Sequence, residues 1–156
     1  ERSRKSWEVA KKRAAKLVGR VSARDKVLML AGLYWGEGTK RELNIINGDA
    51  YLLSVFVECL RSLGVPKERL VFSLRIFDDI HEDKAIRYWS EVFTIPKSHI
   101  KIGEVVRGKK RGKLLFGMCR IRVKKSANYF KLIMSVIESF KIQMSPRSSM
   151  DRTAAS

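Results

Sequence analysis

A short stretch of the chain, LAGLYWGEGTKR at residues 30–41, combines residue types that suit metal-assisted chemistry on a phosphate. Its single acid is Glu37, and carboxylate oxygen is a ligand that Mg2+ prefers in proteins. Lys40 and Arg41 follow closely, and such cations bind phosphate oxygens. The acid and the two adjacent bases make this stretch the first candidate for a functional site.

The same stretch carries glycines where a helix is expected. Ala31, Gly32 and Gly36 lie at helical spacing and form a stripe of small residues. Each glycine costs a helix roughly 1 kcal/mol relative to alanine, so a compensating contact is expected. A stripe of small residues permits close approach of another helix, either from the same domain or from a second molecule.

The composition is strongly basic. Lysine and arginine number 33 and aspartate and glutamate 16 in 156 residues, which gives a net charge of +17 and a pI near 10.3. Such a charge attracts polyanions, so nucleic acid is the leading partner and an anionic membrane surface is the competitor. No stretch approaches the roughly 18 to 20 apolar residues of a membrane span, and the start lacks a signal-peptide pattern. We therefore expect an intracellular protein with no membrane partner, in which Cys59 and Cys119 are buried thiols.

Hydrophobic periodicity predicts an α+β domain preceded by a basic helix. Residues 1–20 form that amphipathic helix, residues 21–144 form the domain, and residues 145–156 form a disordered tail with almost nothing to bury. The domain is predicted to run helix, strand, helix, strand, helix, strand, strand, helix. The predicted helices are Ala23–Trp35, a segment capped by Asp49, Glu82–Phe93 and a segment capped by Ser126; the predicted strands are Arg41–Ile46, Leu70–Phe77, His99–Val106 and Phe116–Lys124.

Strand alternation predicts a mixed sheet with helices on one face and a strongly basic opposite face. Beside its basic residues, the acids placed on that face are Glu42 and Glu104. An antiparallel sheet often solvates one face, but a solvated face usually mixes charges of both signs. We therefore favour a nucleic-acid-binding face over a solvated one. Its basic residues are Arg75, Lys101, Arg107, Arg120, Arg122 and Lys124, and the polar residues on the same face are Asn44 and Ser73.

The last two strands are predicted to form a hairpin through a basic loop, RGKKRGK at residues 107–113. Its glycines allow the backbone to approach a phosphate closely. A solvated turn or a localisation signal is the alternative, since a short basic run has low specificity. The basic strand that follows favours contact with phosphates. The basic residues of this loop are Arg107, Lys109, Lys110, Arg111 and Lys113.

The motif LAGLYWGEG at residues 30–38 resembles the signature of the LAGLIDADG homing endonucleases. Seven of its nine positions match the family's pattern when Glu37 is accepted for the last acid. The segment from Asn47 to Phe140 resembles compact bacterial members of that family, less closely than the motif does. The resemblance implies a LAGLIDADG-type α+β fold, in which helices pack on one face of a mixed or antiparallel sheet and the basic opposite face forms a DNA-binding saddle.

In that family the motif helix packs against its twin across a dimer axis, and the terminal acids lie side by side at the scissile phosphates. One copy of the motif therefore implies a homodimer that cleaves both strands of a pseudo-palindromic DNA target. The resemblance implies that Glu37 binds Mg2+ and that a basic residue, Arg120, Arg122 or Lys124, assists the attacking water. The remaining implied contacts are Lys40, Arg41, the basic face and the basic loop with DNA, and Ala31, Gly32, Tyr34 and Gly36 with the second subunit.

The chain also departs from the family's pattern. Trp35 stands where the motif has its first acid, and the segment between the motif and Asn47 is short for the DNA-reading hairpin of larger members. Two alternatives to a nuclease follow from the same fold: a regulator that binds DNA without cutting it, which Trp35 favours, and an RNA-binding maturase that helps an intron to fold.

Overall fold

The structure, a computed structural model, describes residues 2–108 and 114–145. Its order of helices and strands is the predicted one. The elements are α1 (Arg2–Val18), α2 (Ala23–Glu37), β1 (Asn44–Asn47), α3 (Ala50–Ser62), β2 (Leu70–Phe77), α4 (Glu82–Phe93), β3 (Ile100–Val106), β4 (Met118–Val123) and α5 (Ala127–Met144), with short 3-10 turns at Lys67–Arg69 and Lys97–His99.

Short polar side chains set where α2 and α3 begin. The Ser22 hydroxyl accepts the N–H of Asp25 at 3.2 Å, and the Asp25 carboxylate accepts the N–H of Ser22 at 2.8 Å. These bonds from the Ser22 backbone and hydroxyl lower the pKa of Asp25. Asp49 caps α3 by accepting the N–H groups of Tyr51 at 2.9 Å and Leu52 at 3.1 Å. The predicted caps at Ser22 and Asp49 are therefore confirmed. The predicted cap at Ser126 is wrong, because its side chain makes no capping hydrogen bond at the start of α5.

The strands of the described residues form one four-stranded mixed sheet in the order β1-β4-β2-β3. β4 is antiparallel to both β1 and β2, whereas β3 is parallel to β2. The predicted hairpin between the last two strands is therefore wrong, because β2 lies between them. A crossover through α4 returns the chain parallel to β2 at the sheet edge, and residues 107–117 are a longer link than the two to five residues of a tight hairpin.

The helices α2 to α5 cover one face of this sheet, and the core lies between the two layers. From β2 and β4 the alternate residues Phe72, Leu74, Ile76, Cys119, Ile121 and Val123 are buried. Trp89 of α4 is fully buried against them, and its indole N–H donates to the carbonyl of Phe116 at 2.9 Å. Cys59 and Cys119 are both buried, as predicted, and burial raises the pKa of the Cys119 thiol. The coarse α+β class with helices on one face is confirmed.

Helix α1 stands apart from this core. Every side chain described in it is exposed, including Trp7 and Leu17 of its apolar stripe. The predicted basic N-terminal helix therefore forms, and its apolar stripe remains exposed in the part of the chain that the structure describes. The predicted disordered tail lies outside the described residues, apart from Ser145. None of the helices in residues 2–108 and 114–145 is long and apolar enough to cross a bilayer.

Candidate acidic site and nucleic-acid interface

The motif acid is held at the junction of α2 and the sheet. Glu37 is the last residue of α2, its side chain is exposed, and its Oε2 accepts a hydrogen bond from Nδ2 of Asn47 at 3.1 Å. The Oδ1 of Asn47 accepts the N–H of Asp49 at 2.8 Å. Because the backbone donor fixes Oδ1 on one side of the amide, Nδ2 must face the carboxylate. Asn47 therefore orients Glu37, and sequence reasoning assigned it no such role.

The backbone after Glu37 is fixed by the side chain of Tyr34. The Tyr34 hydroxyl lies between the carbonyl oxygens of Thr39 and Glu42, the latter at 2.6 Å, and shares its one proton between these two acceptors. The backbone of Gly38 packs so closely against the ring of Tyr34 that a Cβ on residue 38 would lie 2.4 Å from two ring carbons. Gly38 also pairs with Ile45 of β1. This packing holds the C-terminal end of α2 against β1 and so fixes the backbone position of Glu37.

The outer face of α2 is uncovered. Gly32 and Gly36 are exposed, and a Cβ built on either would meet no atom within 4 Å. Met29 and Trp35, on the same side of the helix, are 53% and 55% exposed. Packing within the described part of the chain therefore does not account for these glycines.

The predicted interface residues of α2 divide into two groups. Gly32 and Gly36 lie on the uncovered face, whereas Ala31 and Tyr34 are 1% and 2% exposed and pack into the core of their own chain. The side chains of Ala31 and Tyr34 therefore contribute to the core of their own chain, and of the four predicted interface residues only Gly32 and Gly36 are exposed on α2. Trp35, in the place of the first motif acid, lies beside α5 with the Nζ of Lys141 5.8 Å from the centre of its ring.

The sheet face opposite the helices carries bases in cross-strand rows. Arg120 of β4 lies between Ile46 of β1 and Ser73 of β2, and Lys101 of β3 lies on the other side of Ser73. Arg122 lies opposite Asn44 and Val71 in the next such row of β4. Four of the six basic residues predicted for this face are exposed within its strands: Arg75, Lys101, Arg120 and Arg122.

The acids on this face pair with two of its arginines. Arg75 Nε lies 3.2 Å from Oε2 of Glu104, and the Arg122 guanidinium lies 3.9 Å from Oε2 of Glu42. Arg120 has no carboxylate partner within residues 2–108 and 114–145, and its side chain borders a depression of about 170 Å3. Exposed pairs of this kind add little stability, so the face keeps a net positive charge available to a polyanion.

Other predicted contact residues lie around the edges of this face. Lys40 and Arg41 are exposed in the loop between Glu37 and β1, Arg107 is exposed just after β3, and Lys124 is exposed in the turn after β4. Asn44 is buried, and its Oδ1 accepts no hydrogen bond in the described residues. The other predicted loop contacts lie outside the described residues: Lys109, Lys110, Arg111 and Lys113.

The strand register ranks the candidate bases by their position along β4 relative to Asn47, the hydrogen-bond partner of Glu37. Asn47, the partner of Glu37, is opposite Cys119, and Arg120 is the next residue along β4. Arg122 and Lys124 are two and four residues further along, or roughly 7 and 13 Å at the usual rise of a strand. Arg120 is therefore the nearest of the three along β4 to Asn47, although strand alternation places its side chain on the face of the sheet opposite to the side chain of Cys119.

The described residues contain no cluster of three or more histidine, cysteine, aspartate or glutamate side chains able to hold a metal ion. One chain thus offers the Glu37 carboxylate, with the Asn47 amide beside it, as the donor set at this position. Comparison of the chain with protein-family models, with curated proteins and with solved structures found no match. The function proposed below therefore rests on the residues and their geometry.

Proposed function

We propose that the protein is a homodimeric, Mg2+-dependent DNA endonuclease of the LAGLIDADG type. The observation that carries the proposal is the uncovered face of α2, where Gly32 and Gly36 lead to an oriented carboxylate at Glu37. Two glycines at which a Cβ would meet no atom of the described residues within 4 Å cost the helix roughly 1 kcal/mol each. Close packing of α2 against its copy in a second subunit offsets that cost and brings two Glu37 side chains together.

A dimer also completes the donor set for a metal. Magnesium keeps several waters and needs one or two carboxylates together with phosphate oxygens, so one Glu37 from each subunit is sufficient. The carbonyl end of α2 carries partial negative charge, which favours a cation beside Glu37. Bound Mg2+ would supply charge neutralisation at a phosphate and a more acidic water. Asn47 orients the carboxylate, and a basic residue of the sheet face, Arg120, Arg122 or Lys124, would supply positive charge near the reacting phosphate.

The basic sheet face supports DNA as the substrate. Lys101 and Arg120 have no carboxylate partner in the described residues, and long exposed bases of this kind neutralise backbone phosphates. A twofold dimer presents two copies of the face, and a symmetric protein suits a target with two related half-sites. We therefore expect cleavage of both strands in a pseudo-palindromic duplex.

The proposal is tested by incubating the protein with a randomised duplex library in Mg2+, and separately in Ca2+ or EDTA, and sequencing new ends. Wild-type protein should give recurrent paired breaks in Mg2+ alone. Glu37→Gln should abolish the breaks and leave DNA affinity unchanged or slightly higher, because only a metal ligand is lost. Glu91→Gln, an exposed acid of α4, is the matched control and should cut normally. Cleavage by Glu37→Gln at the wild-type rate would remove Glu37 from the mechanism.

The second candidate is a DNA-binding regulator of the same fold that has no nuclease activity. It is favoured by Trp35, which takes the place of one motif acid. In the library experiment this candidate predicts selective capture of duplex DNA with no new ends. Binding of structured RNA in preference to duplex DNA would instead support the maturase.

A further inference from the structure

A second basic feature lies where β4 ends and α5 begins. It is a depression of about 500 Å3, which we name the basic pocket. The pocket contains one acid, Glu42, and its walls come from the loop before β1, the end of β4 and the first turns of α5. Five basic residues line it: Arg41, Arg122, Lys124, Lys125 and Lys131.

The positive charge of the pocket is poorly compensated. Arg122 approaches Glu42 at 3.9 Å, which is the limit of an ion pair. Lys124, Lys125 and Lys131 have no carboxylate partner within the described part of the chain. Several like charges around one concave site repel one another, and an anion placed among them relieves that repulsion.

The pocket also contains a buried hydroxyl donor. Ser126 is 7% exposed and lines the pocket, and its Oγ accepts the N–H of Leu43 at 3.4 Å. The hydroxyl proton of Ser126 has no acceptor among the described residues. Its side chain does not cap α5, and the first turn of α5 has no acid. A buried O–H without an acceptor, surrounded by cations, favours a ligand with several acceptor oxygens and negative charge.

We infer that the basic pocket binds a phosphate group, and that its source is a backbone phosphate of the nucleic acid on the sheet face. The choice of source rests on the proposed function, because Arg122 belongs both to the pocket and to the basic face. Lys125 and Lys131 extend that surface from the sheet onto the helix layer. The bound strand would therefore be anchored beyond the edge of the sheet.

The test compares two variants that lose the same charge. Lys125→Asn with Lys131→Gln removes two pocket bases; asparagine is chosen because residue 125 has φ of 50°, a conformation that asparagine tolerates. Lys84→Gln with Arg87→Gln on the exposed side of α4 is the control. Affinity for a fluorescent 30-base-pair duplex is measured from 50 to 300 mM KCl by anisotropy. Thermal unfolding is measured with inorganic phosphate against KCl at equal ionic strength.

The pocket variant should lower the slope of log affinity against log salt by about 0.9, the effect of one lost phosphate contact, while the control keeps the wild-type slope. Phosphate should raise the unfolding midpoint of wild type and of the control more than that of the pocket variant. If wild type binds no nucleic acid but phosphate still stabilises it through the pocket, the phosphate site stands and the nuclease proposal fails. Equal slopes in the two variants, or equal stabilisation by phosphate, would overturn the pocket.

Discussion

The substitution Gly32→Ala separates a role for α2 inside one chain from a role between two chains. Gly32 lies in the interior of the helix, and a Cβ there meets no atom within 4 Å. Alanine favours a helix over glycine by about 0.8–1.0 kcal/mol, so the isolated chain should gain about 1 kcal/mol of unfolding free energy. For a domain of this size the melting temperature should rise by about 2–4 °C.

The same substitution should weaken the dimer. Each added methyl group enters a close helix contact, where overpacking costs about 1–3 kcal/mol. Twofold symmetry places two such methyl groups in one interface, which gives about 2–6 kcal/mol. Since 1.4 kcal/mol is a factor of ten in affinity, the dissociation constant should rise by roughly 30-fold or more. Gly32→Ala is thus expected to stabilise the monomer and to destabilise the dimer.

Sedimentation velocity over a concentration series measures the dimer, and urea unfolding at a concentration where wild type is monomeric measures the chain. Ser135→Ala, on the exposed face of α5, is the control, because it also raises helix propensity but lies away from α2's uncovered face. It should leave dimerisation unchanged. An unaltered dissociation constant in Gly32→Ala, or a wild-type protein that stays monomeric at all concentrations, would refute the interface.

Gly38→Ala should have the opposite effect on the chain, a loss of about 1–3 kcal/mol in urea unfolding, because its Cβ would lie 2.4 Å from the ring of Tyr34; wild-type stability would contradict that packing. Arg120→Ala should weaken duplex binding and lower the log-log salt slope by about 0.9, whereas Arg87→Ala on α4 should not, and equal effects would argue against a specific role of the face. Burial raises the pKa of Cys119 above its ordinary value of 9.0, so the folded state keeps this thiol protonated at a pH where the unfolded chain loses the proton. The stability of the folded state that depends on the neutral thiol is complete below pH 9 and is lost as pH rises, by up to about 1.4 kcal/mol per pH unit. Wild type should therefore lose more unfolding free energy than Cys119→Ala between pH 9 and 10, and parallel losses would exclude a role for this thiol.

Local sequence signals predicted most of the elements and the faces of the strands. The β2 and α4 boundaries agree with Leu70–Phe77 and Glu82–Phe93 because alternation and helical periodicity are read from neighbouring residues. The sheet order was not predictable in the same way, since alternation shows which face a residue occupies and not which strand lies beside it. The error in sheet order did not change the basic residues assigned to the open face, because the face on which a side chain lies depends on alternation alone.

The candidate site shows the same limit. Ala31 and Tyr34 share a helix turn with Gly32, and their burial depends on where α2 meets α3 and α5, which spacing alone does not specify. Asn47 was missed because its role depends on the backbone N–H of Asp49. The pair Lys124 and Lys125 just before a helix start was a usable signal for the basic pocket.

Three features of the single chain are each energetically unfavourable on their own. First, α2 has glycines on an uncovered face. Second, it has a carboxylate at its C-terminal end, where the helix dipole disfavours an anion. Third, the open face of the sheet has bases without a carboxylate partner in the described residues, such as Arg120. In the proposed function, a second subunit would offset the cost of the glycines, a divalent cation would offset the cost of the carboxylate, and a polyanion would offset the repulsion among the bases. The first two of these sites are adjacent, because Glu37 is at the end of the uncovered helix and accepts a hydrogen bond from Asn47 of β1. Alanine at the glycines, glutamine at Glu37 and a mixed-charge sheet face would each stabilise the single chain more, so stability of the single chain does not explain these residues.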